Sequence, residues 1–137
     1  MPQKHTISAL VETHFGVLCR IAGLFSSRGV NIDSLSVGET EDPKISRMTI
    51  VVRGDDSVLE QVVKQLNRLI DVIRVIDITQ GTFIERELTL IKVNANTTTR
   101  TEIIQIAEVF RANVVDVSAN SMTIEVTGRH DKVQAII

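Results

Sequence analysis

Neither tryptophan nor tyrosine occurs in this chain, and its four aromatic residues are all phenylalanine. So few π-faces leave little for unstacked bases to rest on, and 15 Lys and Arg against 17 Asp and Glu give no basic excess to neutralise phosphates. Nucleic acid is not the expected partner. A single cysteine, Cys19, rules out an internal disulfide and, set within a helical apolar stripe, reads as a small packed side chain rather than a redox centre. The apolar runs are short and broken by charge, so none is expected to span a bilayer, and Met1-Pro2-Gln3-Lys4-His5 leads into a strand rather than a signal-peptide core. The expected location is the cytoplasm, without membrane association. The spacings of chemistry are missing too: HExxH, CxxC, a Gly-rich phosphate loop and a nucleophile–base pair. His5, His14 and His130 are far apart in different elements and read as surface residues rather than ligands. No catalytic residue, metal or cofactor is expected in the chain.

What is present is apolar pattern: 43% hydrophobic residues over 137 positions fill the core of one ordinary domain or two small ones. The organising stretch is Leu10 to Asn31, where a strand end passes through a loop closing on Gly16 into a helix stopped by Arg28-Gly29. Val17, Leu18, Ile21, Ala22, Leu24 and Phe25 form one stripe of 3.6-residue period. That stripe packs, and the loop before it is left to bind. A helix start leaves backbone N–H groups unpaired at the positive end of the dipole, and a glycine lets a carboxylate or phosphate come close. Strand-to-helix turns also carry glycine for steric reasons alone, so both readings of Gly16 stand at this point.

In chain order, Thr6 to Val11 alternates as a strand, and Asn31 to Glu39 alternates only if a bulge falls near Asp33-Ser34. Glu41-Asp42-Pro43-Lys44 is a turn, and Ser46 to Arg53 a strand with Met48, Ile50 and Val52 on one side. A second helix starts near Asp55, capped by Asp55 or by a Ser57-x-x-Glu60 box, and buries Val58, Leu59, Val62, Val63, Leu66, Leu69 and Ile70. The β-branched run from Val72 closes at Gln80-Gly81. The same order then begins again at Glu85: a strand over Leu88 to Val93, and a helix opened by Thr99-x-x-Glu102 with Ile103, Ile106, Ala107 and Phe110 on one face. A hairpin of Val114 to Ser118 and Met122 to Thr127 follows, then a last helix from Arg129. The pattern predicts an α+β fold of two tandem ferredoxin-like βαββαβ modules, residues 1–81 and 82–137, the second short of its last helix end and closing strand.

Gly16-Val17-Leu18, Gly23-Leu24-Phe25, the run from Arg28 to Leu35 (RGVNIDSL), Ser46 to Ile50 (SRMTI), Leu59-Glu60-Gln61, Lys64-Gln65-Leu66 and the run from Glu85 to Val93 (ERELTLIKV) carry a resemblance. Taken as a set over essentially the whole chain, they resemble the small regulatory subunit of acetolactate (acetohydroxyacid) synthase, with an ACT domain, an amino-acid-sensing module, in the N-terminal half. The resemblance implies that the stop at Ile137 is a truncation rather than a natural end.

The resemblance implies a regulatory subunit without chemistry of its own. Such subunits bind the large catalytic subunit, raise its activity, and confer feedback inhibition by valine or the other branched-chain amino acids, leucine and isoleucine, in branched-chain amino-acid biosynthesis. Thiamine diphosphate, Mg²⁺ and FAD belong to the catalytic subunit. ACT domains of this kind pair edge to edge as homodimers, which implies a valine site between chains, formed by Thr13, His14, Phe15, Gly16, Val17, Leu18 and Ile32 with Asn31 supplied by the neighbouring protomer. Asn31 donates to a carboxylate and accepts from an ammonium group, as a zwitterion requires. The chain departs from the family's usual loop at Thr13, His14 and Phe15, which bears on the choice of effector. A free-standing ACT-type sensor of another enzyme, and a ferredoxin-like enzyme, are the competing expectations.

Overall fold

The first unit is assembled around β1 (Gln3–Glu12), in which Ile7, Ala9 and Val11 share one buried face, as period-two alternation requires. The computed structural model describes residues 3–14 and 16–137, and the chain divides into two compact units, Met1–Phe83 and Ile84–Ile137. In the first, α1 (Val17–Ser27) follows β1, β2 (Asn31–Glu39) and β3 (Ile45–Gly54) form a hairpin, and α2 (Asp56–Leu66) leads to β4 (Val72–Asp77). The sheet is antiparallel in the order β2-β3-β1-β4. Val17, Ile21 and Phe25 of α1, with Leu59, Val62 and Leu66 of α2, close over Met48, Ile50 and Val52 of β3 and the buried face of β1. Phe25 is fully buried, and its truncation to alanine would cost about 3–5 kcal/mol.

Local chemistry sets the element ends. The β2–β3 register shifts between Ile32 and Ser34, the bulge expected near Asp33-Ser34. α1 stops because Gly29 takes φ 70°, letting its N–H reach Ser26 O at 3.0 Å and the N–H of Val30 reach Phe25 O at 3.0 Å. α2 takes Asp55 as its cap, so Ser57 lies inside the helix and the Ser57-x-x-Glu60 box does not form. The helix ends at Leu66, earlier than its apolar stripe suggested. Leu69 still packs on the core from the following turn, but Ile70 is 89% exposed. Asn67 makes the stop: its side chain donates to Val63 O at 3.1 Å and accepts from the Val75 N–H at 2.9 Å, tying the helix end to edge strand β4.

The second unit repeats the order with β5 (Glu87–Asn94), α3 (Arg100–Val109), β6 (Asn113–Val117), β7 (Ser121–Gly128) and α4 (His130–Ile136), in a three-stranded antiparallel sheet β5-β7-β6. Its bulge falls between Val114 and Asp116, the same place in the strand as in β2. The helix turn starts earlier than the Thr99-x-x-Glu102 spacing implied. Asn96 Oδ1 accepts from the N–H groups of Thr98 and Thr99 at 2.9 Å each, and Thr99 Oγ1 accepts from the Asn96 N–H at 3.0 Å. Of the stripe expected on α3 only Ala107 is buried; Ile103 and Phe110 are partly covered and Ile106 is 44% exposed, since a sheet one strand narrower offers the helix less floor. α3 ends as α1 does, with the N–H of Ala112 on Ala107 O at 2.8 Å, but the left-handed position is filled by Arg111 at φ 55°. None of the helices among the described residues is long and apolar enough to cross a membrane.

His5 is not the surface residue the sequence suggested. It lies on the buried face of β1, two positions before Ile7, with Nδ1 at 2.6 Å from Asp77 Oδ2 and Nε2 at 2.7 Å from Asp56 Oδ1. β1, the first turn of α2 and the end of β4 are thus pinned through one ring. Burial alone would depress the imidazole, but hydrogen bonds to Asp77 and Asp56 and the charges behind them outweigh it and hold His5 above its ordinary value of 6.5. Burial alone would lift Asp77, but hydrogen bonds from Thr79 and His5 bring it below its ordinary 3.8. The His5 contribution is therefore complete below pH 6.5 and is lost as pH rises through its raised value; that of Asp77 is present above pH 3.8 and is lost as pH falls through its lowered value. Urea unfolding of the wild type should show less stability at about pH 8 than at about pH 6, and His5→Gln should abolish most of that difference. An equal pH dependence in the variant would remove the histidine from the linkage.

Candidate functional site

The loop that leaves β1 is held to the sheet by its own polar atoms. The Thr13 N–H donates to Lys44 O at 2.8 Å, and the Thr13 and Ser46 hydroxyls lie 2.8 Å apart, so the loop is fixed against the start of β3. Phe15 lies outside the described residues. Gly16 occupies the N-cap of α1 at φ 94°, ψ −8°, with no side-chain cap on the helix. Added there, a Cβ would meet nothing within 4 Å, so within one chain the glycine is required by backbone conformation rather than by crowding. Val17 turns into the core at 4% exposure, while Leu18 is 43% exposed beside the loop. The Gly16 carbonyl takes the first intrahelical bond, from the Arg20 N–H at 3.1 Å.

Charged side chains collect at the same loop. His14 Nε2 lies 2.9 Å from Glu12 Oε2 and 3.9 Å from Asp71 Oδ1, and Arg20 of α1 binds the other oxygen of Asp71. A cavity of about 540 Å³ opens between Glu12, Thr13 and His14, the β2–β3 turn from Asp42 to Ile45, and Ile73. Asp71 was not legible as a neighbour of the loop. The separation of 51 positions from Arg20 to Asp71 carries no spacing signal, and only the placement of β4 beside β1 brings Asp71 there.

Asn31 and Ile32 lie elsewhere in the chain. They open β2 after α1 has run its 11 residues, a rise of about 16 Å, so they stand at the far end of the helix from Gly16. Asn31 is exposed, with Nδ2 3.1 Å from Asp33 Oδ1, and Asp33 in turn pairs with Arg53 at 2.7 Å. Ile32 packs partly against the core. A single chain thus brings together Thr13, His14, Gly16, Val17 and Leu18, and keeps Asn31 and Ile32 apart from them.

Comparison with known proteins bears on the whole chain. Residues 7–74 match the AHAS small subunit-like ACT domain, and residues 86–137 match the family described as small subunit of acetolactate synthase. The probable acetolactate synthase small subunit of Archaeoglobus fulgidus is 58% identical over 134 residues, covering 98% of this chain and 84% of the relative. That of Methanothermobacter thermautotrophicus is 53% identical over 137 residues, covering 99% and 82%. The crystal structure of the acetolactate synthase small subunit from Thermotoga maritima superposes with a TM-score of 0.88 at 41% identity, covering 98% of this chain and 84% of that one. An ACT domain followed by a second unit of the same strand and helix order is the build of a regulatory subunit. The chain belongs to the acetolactate synthase small-subunit family.

Because the Gly16 requirement is conformational, Gly16→Ala should lower folding stability by about 1–2 kcal/mol through the left-handed backbone alone. Chemical denaturation of the two proteins tests this; equal midpoints and slopes would show that the loop relaxes to another conformation without cost.

Proposed function

We propose that this chain binds the large catalytic subunit of acetolactate synthase, raises its activity, and confers feedback inhibition by valine or a related branched-chain amino acid. The chain itself performs no chemistry in this reading; thiamine diphosphate, Mg²⁺ and FAD are the catalytic subunit's, and the assembly is cytoplasmic. The observation that carries the sensing role is the separation of the Thr13–Leu18 loop from Asn31 by the length of α1. Two copies paired edge to edge along β2 and related by a two-fold axis bring the loop of one to the Asn31 of the other. β2 is a sheet edge, and beyond its bulge it exposes Leu35 at 38% and Val37 at 48%, which pairing would cover. The exposed Asn31 amide and the start of α1 then offer complementary groups to a zwitterion, with Leu18 beside its aliphatic part. The match of residues 86–137 to the small-subunit family favours this over a free-standing ACT sensor, which would lack that second unit.

Asn31→Ala removes the proposed polar contact, so valine affinity should fall by about 1–3 kcal/mol, or roughly 5- to 150-fold. Calorimetry on both proteins measures it, alongside ultracentrifugation expected to show a homodimer, and titration of the catalytic subunit expected to show stimulation by both and weaker valine inhibition with the variant. Equal valine affinities would remove Asn31 from the site. A monomer at all concentrations would remove the shared site, and a catalytic subunit left unstimulated would point to a different partner enzyme.

A further inference from the structure

We infer that Glu12, His14 and Asp71 form a binding site for a transition-metal dication of the zinc class at the entrance to α1. One donor atom from each lies within 4.8 Å of the other two. Zinc–nitrogen and zinc–oxygen bonds of about 2.0–2.2 Å set the donors of a tetrahedral site roughly 3.3–3.5 Å apart. The observed separations from His14 Nε2, 2.9 Å to Glu12 and 3.9 Å to Asp71, straddle that value, so small side-chain adjustments suffice. One imidazole with two carboxylates suits Zn²⁺ better than Mg²⁺ or Ca²⁺, which take oxygen donors in larger number.

The surroundings support the set. Arg20 holds the second oxygen of Asp71, which keeps Oδ1 turned to His14 and offsets one of the two carboxylate charges. The guanidinium also opposes a cation, which weakens the site relative to structural zinc. Glu12 and His14 both line the cavity of about 540 Å³, so the fourth coordination position has room for water or a small anionic ligand. No sequence motif announced this site, because Glu12-x-His14 is too short a spacing to signal alone and Asp71 comes from the turn before β4. A bound ion would fasten the end of β1, the loop two residues before Gly16, and the start of β4 to one another. The inference stands on these three residues and is independent of the amino-acid site.

The test uses the 137-residue chain, stripped with a chelator and titrated with Zn²⁺ alone against a chromophoric competitor at about pH 7.5. One equivalent should bind at micromolar Zn²⁺ and raise the melting temperature. Glu12→Gln and His14→Ala, both at exposed positions, should each weaken binding by no less than the ~10- to 100-fold that even an outer partner of a ligand is worth, and should lose the melting shift. Cys19→Ser and His130→Ala, which remove exposed donors elsewhere, should bind as the wild type does. Equal binding in wild type and His14→Ala, loss of binding in Cys19→Ser, or no stoichiometric uptake below millimolar Zn²⁺ would each overturn the assignment.

Discussion

The pairing of β1 with β3 is the constraint on which the first unit rests. His5 faces Val52, Ile7 faces Ile50, Ala9 faces Met48 and Val11 faces Ser46, and all eight are buried. A slip of one residue would turn every one of them to the opposite face, so the register is fixed by the whole set rather than by any single contact. Both helices must then lie over this face, and α1 must begin where β1 ends. The position of the Thr13–Leu18 loop, and of the charged group around His14, follows from that geometry before any ligand is considered.

The features legible in the sequence are those that depend on near neighbours in the chain. Alternation marked β1 and β3, the broken alternation at Asp33-Ser34 marked the bulge, and Arg28-Gly29 marked the end of α1. Cap positions were less legible. Two spacings of Ser or Thr with Glu three residues on were present, yet neither box forms: α2 takes Asp55, the alternative cap, and at α3 Thr99 holds the N-cap without a side-chain cap bond while Asn96 takes the N–H groups of Thr98 and Thr99. His5 was misread although a signal existed: it is in phase with Ile7, Ala9 and Val11, and an in-phase polar residue on a buried strand face needs partners. Those partners, Asp56 and Asp77, are 51 and 72 positions away, so the need was visible and its solution was not. The loop from Thr13 to Leu18 is contiguous in the sequence and stays so in the fold, whereas Asp71 comes beside it only through the sheet order.

The two units share an order but differ at the entrance to their first helix. In the second, the start of the α3 turn is filled by Asn96, whose side chain takes the N–H groups of Thr98 and Thr99. In the first, the corresponding position is Gly16, which brings no side chain to α1. A self-capped helix start has less to offer an external anion than an uncapped one. The first copy thus keeps an open helix entrance, and the second has closed its own.

The closing turns of α1 and α3 carry a second asymmetry. Both use a left-handed residue to redirect the chain, Gly29 in one case and Arg111 in the other, and only the glycine adopts that conformation without strain. A penalty of about 1 kcal/mol at Arg111 multiplies the population of the frayed helix end roughly fivefold. The amides of Arg111 and Ala112, which close that turn, would then exchange with solvent ahead of their counterparts at Gly29 and Val30. Within one chain, the same motif marks a tight corner in the first unit and a yielding one in the second.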